Sequence, residues 1–355
     1  MTKEELLAIR ADRLNKEKYK EAKLKWDSLM KPIDGFGDFE ELICQIIAIN
    51  GDIDIKKRVA MVFCSDNGIV NRGVSQCGKE MTEKVAVSLG KGISTINVLS
   101  KAAGADVLAI DVGIDCENTP SGVINKKIKR GTNDFLNTEA MTTYDTIAAI
   151  NVGIEMVKYA KDKGYRIIAT GEMGIGNTTS STALLCALLK LDSDCLTGRG
   201  AGLNDKGLEI KRAVIKEAIN KYNKEFEDDR ERSLYLLSAL GGFDIAALAG
   251  VFIGGAIYQI PIVIDGLIAA TGAVVAKRLI EESKDYMIAS HCSREGAMDY
   301  ALKELGLKAY IHGNMALGEA TGAVMLFPLL DVMAEYYKAG TSFSDCNTEN
   351  YERFN

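Results

Sequence analysis

The sequence has few of the residue types that metal centres and hydrolytic triads require. It contains only two histidines, His291 and His312, and none of its eight cysteines forms a CxxC pair. A zinc site with Cys/His spacing and a Ser-His-Asp triad are therefore poorly supported, and we expect no bound metal. Several cysteines lie in apolar runs, where a thiol acts as a small hydrophobe. This pattern favours reduced core cysteines in a cytoplasmic protein over disulfides.

A surplus of positive charge is also missing. Lysine and arginine total 43 against 49 acidic residues, which gives a net charge of −6. A nucleic-acid binder needs cations to neutralise phosphates, so we expect no nucleic-acid partner. The lysines near the N-terminus alternate with acids such as Glu17 and Glu21, a pattern typical of a solvated helix face.

Long uninterrupted hydrophobic runs are absent. The N-terminal segment is a charged amphipathic helix without the apolar stretch of a signal peptide. The most hydrophobic region, residues 245–264, is interrupted by Gly250 and Pro261 and bounded by Asp244 and Asp265. Its uninterrupted apolar stretch is shorter than the ~20 residues of a membrane span, so we predict a buried helix followed by a buried strand, with no membrane partner.

Apolar, strand-like segments alternate with helical patterns along most of the chain. This alternation predicts an α/β fold, in which a parallel Rossmann-like sheet is flanked by helices on both faces. We expect a large catalytic domain over residues 56–330, and a small helical domain built from residues 1–55 and 331–355. The predicted strands are residues 58–64, 105–112, 166–170, 261–264, 285–289 and 309–311, and the predicted helices are 82–103, 144–163, 180–189, 208–223, 243–257 and 323–330.

A polar, glycine-bearing segment follows each predicted strand. Ligands of open parallel sheets bind beyond the carboxyl ends of the strands, so these segments converge on a predicted active site. The segments are Ser65–Gly68, Asp111–Asp115, Gly171–Thr179, Asp265–Gly266, Ser290–Ser293 and Gly313–Gly322.

The segment 171–179 (GEMGIGNTT) joins a predicted strand to a predicted helix and is the most informative of these. Its glycines allow backbone N–H groups to approach a ligand closely. Asn177, Thr178 and Thr179 are placed to cap the helix and to bind a phosphate. Glu172 would repel a phosphate, so it must face a ribose hydroxyl or a cationic ring. The glycine spacing matches neither Walker A nor GxGxxG, which argues against a nicotinamide dehydrogenase.

Glu319 lies between Gly318 and a run of small residues, ahead of an apolar helix. A carboxylate in a partly apolar site has a raised pKa and can act as a general base. An acid favoured by the helix macrodipole explains the same pattern. Two interpretations are likewise open for Arg199 and Lys211, which could hold a phosphate or be ordinary surface cations.

Several motifs taken together resemble one family. The chain resembles nicotinate-nucleotide:dimethylbenzimidazole phosphoribosyltransferases, which make the lower-ligand nucleotide of cobalamin. The matching segments occur in the family's order over residues 30–330. They are SDNGIV (65–70), GKGISTINVLSKAAGA (90–105), DVGID (111–115), GEMGIGNTT (171–179), GRGAGLND (198–205), GGFDIAALAG (241–250), PIVIDGLIA (261–269), SHCSREG (290–296) and MALGEATGA (315–323).

The resemblance implies that nicotinate mononucleotide donates its 5-phosphoribosyl group to an aromatic base, with release of nicotinate and no cofactor. It implies Glu319 as the general base and Glu172 as a second catalytic carboxylate, near the ribose and the reacting centre. It also implies a cytoplasmic homodimer, in which the apolar helix 245–257 takes part in the subunit contact. The implied nucleotide and phosphate contacts are Gly174, Gly176, Asn177, Thr178, Thr179, Lys211, Ser290 and Ser293.

The acceptor side departs from the family pattern. The resemblance places the acceptor-base pocket at Cys77, Val85, Met315 and Leu317, but the best-known members have polar residues at the first two positions. Asn67 and Met298 also stand where members have histidine. The acceptor could be dimethylbenzimidazole, another benzimidazole, a purine or a phenol. An alternative is a non-catalytic or co-catalytic partner subunit of a related transferase.

Overall fold

A six-stranded parallel sheet forms the centre of the computed structural model, which describes residues 1–353. Every pair of neighbouring strands runs parallel, so the predicted α/β class is confirmed. In spatial order the strands are β3 (Ile124–Asn125), β2 (Ala105–Gly113), β1 (Arg58–Ser65), β4 (Ile167–Met173), β5 (Ile262–Ile264) and β6 (Met287–Ala289).

Two further strands, β7 (His291–Ser293) and β8 (Ile311–Met315), form a separate parallel pair. The prediction that residues 309–311 contribute a strand to the main sheet is therefore wrong. The three central residues of β8 are exposed. Strands in the middle of a parallel sheet are covered on both faces, and this segment lacks the side chains to be covered in that way.

Fifteen α-helices surround the two sheets. They are α1 (Lys3–Ala8), α2 (Lys16–Ser28), α3 (Asp38–Asn50), α4 (Glu80–Gly90), α5 (Thr95–Ala102), α6 (Thr143–Asp162), α7 (Asn177–Leu189), α8 (Ser193–Leu196), α9 (Asp205–Lys221), α10 (Asp229–Leu240), α11 (Phe243–Tyr258), α12 (Leu267–Leu279), α13 (Met298–Leu305), α14 (Thr321–Met325) and α15 (Phe327–Ala339) among the described residues.

The sheet separates two apolar layers, and the central strand β1 contributes to both. Its residues Val59, Met61 and Phe63 belong to the layer that contains α6, α11 and α12. The intervening residues Ala60 and Val62 belong to the layer that contains α3, α14 and α15. Successive side chains of a strand point to opposite faces, so a strand covered on both sides must be apolar throughout. All eight residues of β1 are buried.

The predicted helix over residues 82–103 is two helices, α4 and α5. The chain turns through Gly92, whose φ is +74°. The hydroxyl of Ser94 then accepts the backbone N–H of Asn97, and the Asn97 side chain accepts the N–H of Ser94. This capping box starts a new helix. Helices α10 and α12 were also absent from the sequence-based prediction.

Helices α6 and α11 lie in unusually close contact. A β-carbon on Gly250 would lie 1.9 Å from the carbonyl oxygen of Ile150, and one on Gly153 would lie 2.0 Å from that of Ala247. Helix α11 is buried from Phe243 to Ala256 by the chain's own elements. The predicted buried helix is confirmed, but its expected role in a homodimer contact is wrong, because no face of this buried stretch reaches the surface.

The two ends of the chain pack against each other. Trp26 of α2 lies 5.2 Å from Tyr337 of α15, measured between ring centroids. The guanidinium of Arg353 bonds to Asp27 and Asp34 at 2.7 Å each. These helices share their apolar layer with one face of the sheet, and the division into a small and a large domain stays a prediction. Within residues 1–353 no helix has the length and apolar character needed to cross a bilayer.

Candidate active site

A cleft opens at the carboxyl edge of the main sheet. The chain proceeds from β1 to one side and from β4 to the other, so the strand order reverses between these two strands. Ligands of open α/β sheets bind at such a reversal. The cleft is lined by Val74, Ser75, Glu172–Thr178, Gly200, Ala201, Gly266–Ile268, His291, Ser293, Glu295 and Ala316–Glu319.

Glu172 belongs to the sheet itself. The sequence pattern predicted that it lies in a loop after a strand ending at residue 170, but β4 continues to Met173 and pairs Glu172 with Phe63 of β1. The loop is therefore shorter than predicted, and α7 begins at Asn177. Gly176 makes this abrupt turn with a φ of +92°. The Glu172 residue is only 8% exposed, yet it lines the cleft.

Asn177 connects two buried carboxylates. Its amide nitrogen donates to Glu172 Oε2 and, at 2.9 Å, to Asp244 Oδ2. The side chain is thus turned toward acids, and α7 has no side-chain cap at its start. The predicted phosphate contact through the Asn177 side chain therefore competes with this pairing.

The carboxylates of the site disfavour one another's ionisation. Burial raises the pKa of Glu172 to about 8, and the charges of Asp244, Asp265 and Glu319 contribute to the increase. Burial likewise raises the pKa of Asp244 to about 6. Burial and then the charge of Asp265 raise the pKa of Glu319. Like charges brought together in a low-dielectric site behave in this way.

Glu319 lies on a loop with an uncommon backbone. Gly318, Glu319 and Ala320 are all left-handed, with φ values of +84°, +58° and +69°. Such a conformation costs free energy in non-glycine residues and is concentrated at functional sites. The Oε2 atom of Glu319 is buried and has no hydrogen-bond partner within residues 1–353.

Asp265 and His291 lie behind this loop and were given no role by the sequence motifs. Both are buried, and Nδ1 of His291 lies 4.0 Å from Oδ1 of Asp265. The signal that could have identified them is position, because each follows a strand at the edge where the predicted motifs converge. Asn67, which stands where the family pattern has histidine, is buried outside the cleft lining and donates to the carbonyl of Ile175 at 3.4 Å.

A buried lysine lies just outside the cleft lining, in contact with Thr178, which belongs to it. Lys211 of α9 is 1% exposed, and its Nζ donates to Thr178 Oγ1 at 2.9 Å. Burial lowers the pKa of Lys211 to about 8, and the nearby Glu295 opposes this. The backbone at Gly200 packs against this pair, since a β-carbon there would lie 2.9 Å from the Thr178 hydroxyl. A cation, a hydroxyl and the N-terminus of α7 together suit a phosphate.

The remaining predicted nucleotide contacts differ in their surroundings. Gly174, Gly176 and Ser293 line the cleft, and the Ser293 hydroxyl has no hydrogen-bond partner within residues 1–353. Ser290 donates to the carbonyl of Ile264 at 2.6 Å and lies outside the lining, as does the buried Thr179. The geometry therefore favours Ser293 over Ser290 as a ligand contact.

The apolar part of the lining differs from the predicted acceptor pocket. Leu317 lines the cleft and is 53% exposed. Cys77, Val85 and Met315 lie outside the lining, although the neighbouring Val74 and Ser75 belong to it. Leu267 and Ile268, at the start of α12, were missed because helix α12 itself was not predicted.

The described residues contain one acidic group with spacing suited to a cation, Asp27, Asp34 and Glu40. None of the three lines the cleft. Arg353 pairs with Asp27 and Asp34, and Lys31 lies 2.8 Å from Glu40. These side chains already have cationic partners, which accounts for their proximity.

Comparisons with known proteins agree along nearly the whole chain. A family model described as Phosphoribosyltransferase (DBI_PRT) matches residues 11–347. Proteins named nicotinate-nucleotide--dimethylbenzimidazole phosphoribosyltransferase are similar to this chain: that of Clostridium acetobutylicum is 41% identical over 330 residues, 92% of each chain. That of Ruminiclostridium cellulolyticum is 39% identical over 341 residues, 96% of each chain. The crystal structure of CobT from Thermus thermophilus matches with a TM-score of 0.88 at 31% identity, covering 94% of this chain and 99% of that one.

Proposed function

This chain belongs to the DBI_PRT phosphoribosyltransferase family, and from that premise we propose that it transfers the 5-phosphoribosyl group of nicotinate mononucleotide to dimethylbenzimidazole or a related aromatic base. The products are nicotinate and an α-riboside 5′-phosphate, which serves the nucleotide loop of a cobamide.

One observation carries this proposal. Glu172 and Glu319 come from distant parts of the chain and line the same cleft. The charged groups that shift their pKa values are all carboxylates. A cluster of buried acids favours a ligand that brings positive charge, and a pyridinium nucleotide does so. The partner-subunit alternative would not require both glutamates at one cleft.

Glu172 acts on the donor in this proposal. Nicotinate leaves as a neutral ring, so the leaving nitrogen needs no proton. Positive charge then develops on the ribose, and a fixed carboxylate beside it stabilises that charge. The rigid sheet position of Glu172, paired with Phe63, keeps the carboxylate in place without reorganisation.

Glu319 acts on the acceptor. One ring nitrogen of the base attacks C1′ from the face opposite nicotinate, and Glu319 removes the proton from the other nitrogen. A raised pKa makes a carboxylate a stronger base near neutral pH. Among residues 1–353, no group donates a hydrogen bond to Oε2 of Glu319, so this oxygen can accept that proton.

Lys211, Thr178 and the N-terminus of α7 hold the donor phosphate in this proposal. Anchoring the phosphate fixes C1′ between the two glutamates, and positioning of this kind supplies much of an enzyme's rate enhancement. Ser293 and the glycines 174 and 176 complete the nucleotide contacts. The natural acceptor stays open, with Leu317 and the apolar side chains near it as the proposed pocket.

We also propose a cytoplasmic homodimer. Its support is an exposed apolar face on α14 and α15, formed by Met325, Leu329 and Val332, which are 45%, 39% and 67% exposed. Their spacing of four and three residues places them on one side of the helices. Val332→Lys should convert a dimer to a monomer in light scattering, whereas Ile210→Lys on α9 should leave the mass unchanged.

Incubation with nicotinate mononucleotide and dimethylbenzimidazole tests the reaction. Nicotinate release and the α-riboside product, followed by chromatography, are the expected results. Glu319→Gln should lower kcat by about 10²–10⁴-fold, because general-base catalysis contributes that much. Glu21→Gln, on the exposed side of α2 and away from the proposed dimer face, is the matched control and should retain activity. No release with benzimidazoles, purines or phenols would contradict the proposed function and favour a partner subunit.

A further inference from the structure

The loop that carries Glu319 has no side chain of its own to cap the helix that follows it. Helix α14 begins at Thr321, and its N-cap is the left-handed Ala320, which makes no side-chain hydrogen bond. The first N–H groups of any helix need acceptors from outside. Three consecutive left-handed residues, Gly318 to Ala320, also need their surroundings to keep them in that conformation.

Asp265 supplies the missing acceptor from another part of the chain. Its Oδ1 accepts the backbone N–H of Ala323 at 3.0 Å. The nearby backbone N–H groups of Gly322 and Ala320 also oppose the effect of burial on the pKa of Asp265. Asp265 directly follows β5 and is buried. One carboxylate thus ties the start of α14 to the edge of the rigid sheet.

The loop is held from two other sides. A β-carbon on Gly171 of β4 would lie 2.4 Å from the backbone nitrogen of Ala320. A β-carbon on Gly322 would lie 2.0 Å from Nδ1 of His291. The backbone therefore fits between β4 and β7 with no spare room, and the hydrogen bond from Ala323 to Asp265 connects it to the end of β5.

The titratable groups that face Asp265 are His291, Glu172 and Glu319. His291 opposes the effect of burial on the pKa of Asp265, while Asp265 raises the pKa values of both glutamates. The Asp265 side chain is outside the lining of the cleft. It can therefore influence the reaction only through other groups.

We infer that Asp265 is a positioning residue for Glu319, and that its carboxylate fixes the backbone of residues 318–323 so that the base faces the cleft. This inference rests on the proposed function for the role of Glu319. It leaves the placement of the loop as a separate physical claim, which can be measured without catalysis.

Hydrogen exchange measured by mass spectrometry tests the placement. In Asp265→Asn, one acceptor oxygen becomes an NH₂ group facing backbone donors, so amide exchange in a peptide spanning residues 315–326 should be faster. Asp111→Asn is the matched control, because Asp111 is also buried, lies near the end of β2, and accepts the N–H groups of Gly113 and Ile114 at 3.1 and 2.9 Å. That variant should loosen residues 111–119 and leave 315–326 unchanged. Asp265→Ser, which retains a hydroxyl acceptor, replaces Asp265→Asn should the latter not fold.

Kinetics test the connection to the base. We expect Asp265→Asn to lower kcat by about 10- to 100-fold, since a displacement of about 1 Å costs that much. KM for nicotinate mononucleotide should stay within about 2-fold, because phosphate binding is elsewhere. The acidic limb of the kcat profile should move to lower pH, since the charge that raises the pKa of Glu319 is removed.

Unchanged exchange in residues 315–326 would overturn the inference, whatever the activity. Faster amide exchange together with an unchanged acidic limb of the kcat–pH profile would also overturn the inference, because Asp265 would then not act through Glu319. An inactive wild-type protein would instead contradict the proposed function, while the exchange comparison would still decide whether Asp265 holds the loop.

Discussion

The contact between α6 and α11 and the carboxylate cluster of the cleft are both buried, but they are built in opposite ways. In the helix contact, glycines let backbones approach until no additional atom fits between Gly250 and Ile150. In the cleft, Glu172, Asp244 and Glu319 lie among like charges, and Glu319 Oε2 has no partner among the described residues.

The difference separates stability from function within one fold. Close apolar packing stabilises the folded state and depends on shape. Buried like charges destabilise it unless a ligand of opposite charge arrives. We therefore expect substitutions in the helix contact to reduce stability, and charge-removing substitutions in the cleft to increase stability while reducing activity.

The largest effect on stability is expected at the helix contact. Gly250→Ala adds a β-carbon that would lie 1.9 Å from a carbonyl of the facing helix. The helices must separate, and overpacking of this kind should lower the free energy of unfolding by about 3 kcal/mol. Urea denaturation measures this. Gly296→Ala is the control, because the atom nearest to its added β-carbon would lie at 3.7 Å. Similar losses of unfolding free energy in both variants would contradict the proposed importance of the helix contact.

An opposite sign is expected for Glu172→Gln. Burial raises the pKa of Glu172 from 4.5 to about 8, so the folded state holds a proton that the unfolded state loses between these pH values. The wild-type free energy of unfolding should therefore fall as pH rises from 4.5 to 8. Removing the charge should stabilise the free protein by roughly 2 kcal/mol at about pH 8 and by much less at about pH 5. Thermal melts at both values measure the difference, and equal shifts would count against a buried like charge.

Ligand binding sharpens the same contrast. A pyridinium cation favours ionised Glu172, so nicotinate mononucleotide must displace the proton below a pH of about 8. Its affinity should rise about 10-fold from about pH 6 to about pH 8. Calorimetry in buffers of different ionisation enthalpy should detect proton release. In the Glu172→Gln variant, the affinity for nicotinate mononucleotide should depend much less on pH. An equally steep dependence would mean that the released proton comes from another group.

The smallest effect is expected on the solvent side of α6. Lys158 and Asp162 form an exposed pair at 2.7 Å. Exposed pairs four residues apart contribute little, so Asp162→Asn should change the free energy of unfolding only slightly. Denaturation in low and high salt measures it. A loss of unfolding free energy comparable to that of Gly250→Ala would mean that α6 is stabilised mainly by its exposed ion pair and not by its buried face.

Much of the fold could be predicted because covered strands must be apolar on both sides. The run 58–64 shows this directly, and the apolar region after Asp244 correctly indicated a buried helix and a strand. The strand at 309–311 was misplaced, since a short apolar run does not specify which sheet it joins. The break between α4 and α5 depends on a cap at Ser94 that the long helical pattern obscured.

The candidate site was only partly accessible to sequence reasoning. Glu172, Glu319 and Lys211 were singled out by the family resemblance of their motifs, and the structure places the first two at one cleft, while their roles stay predictions. Asp265 could not be assigned a role, since its bonded backbone N–H at Ala323 is 58 residues away in the chain. A backbone N–H can donate from almost any residue type, so the sequence does not show which residue bonds to Asp265. Only the folded structure identifies the donor.

The register of β4 has a consequence for how this enzyme's specificity can change. Glu172 belongs to a strand that is paired on both edges, so no insertion or deletion can shift it without disturbing the whole sheet. Leu317 and Val74 lie on connecting segments that tolerate changes in length. If the proposed roles hold, descendants of this chain can acquire new acceptors by remodelling those segments, while the carboxylate proposed to act on the ribose is inherited in place.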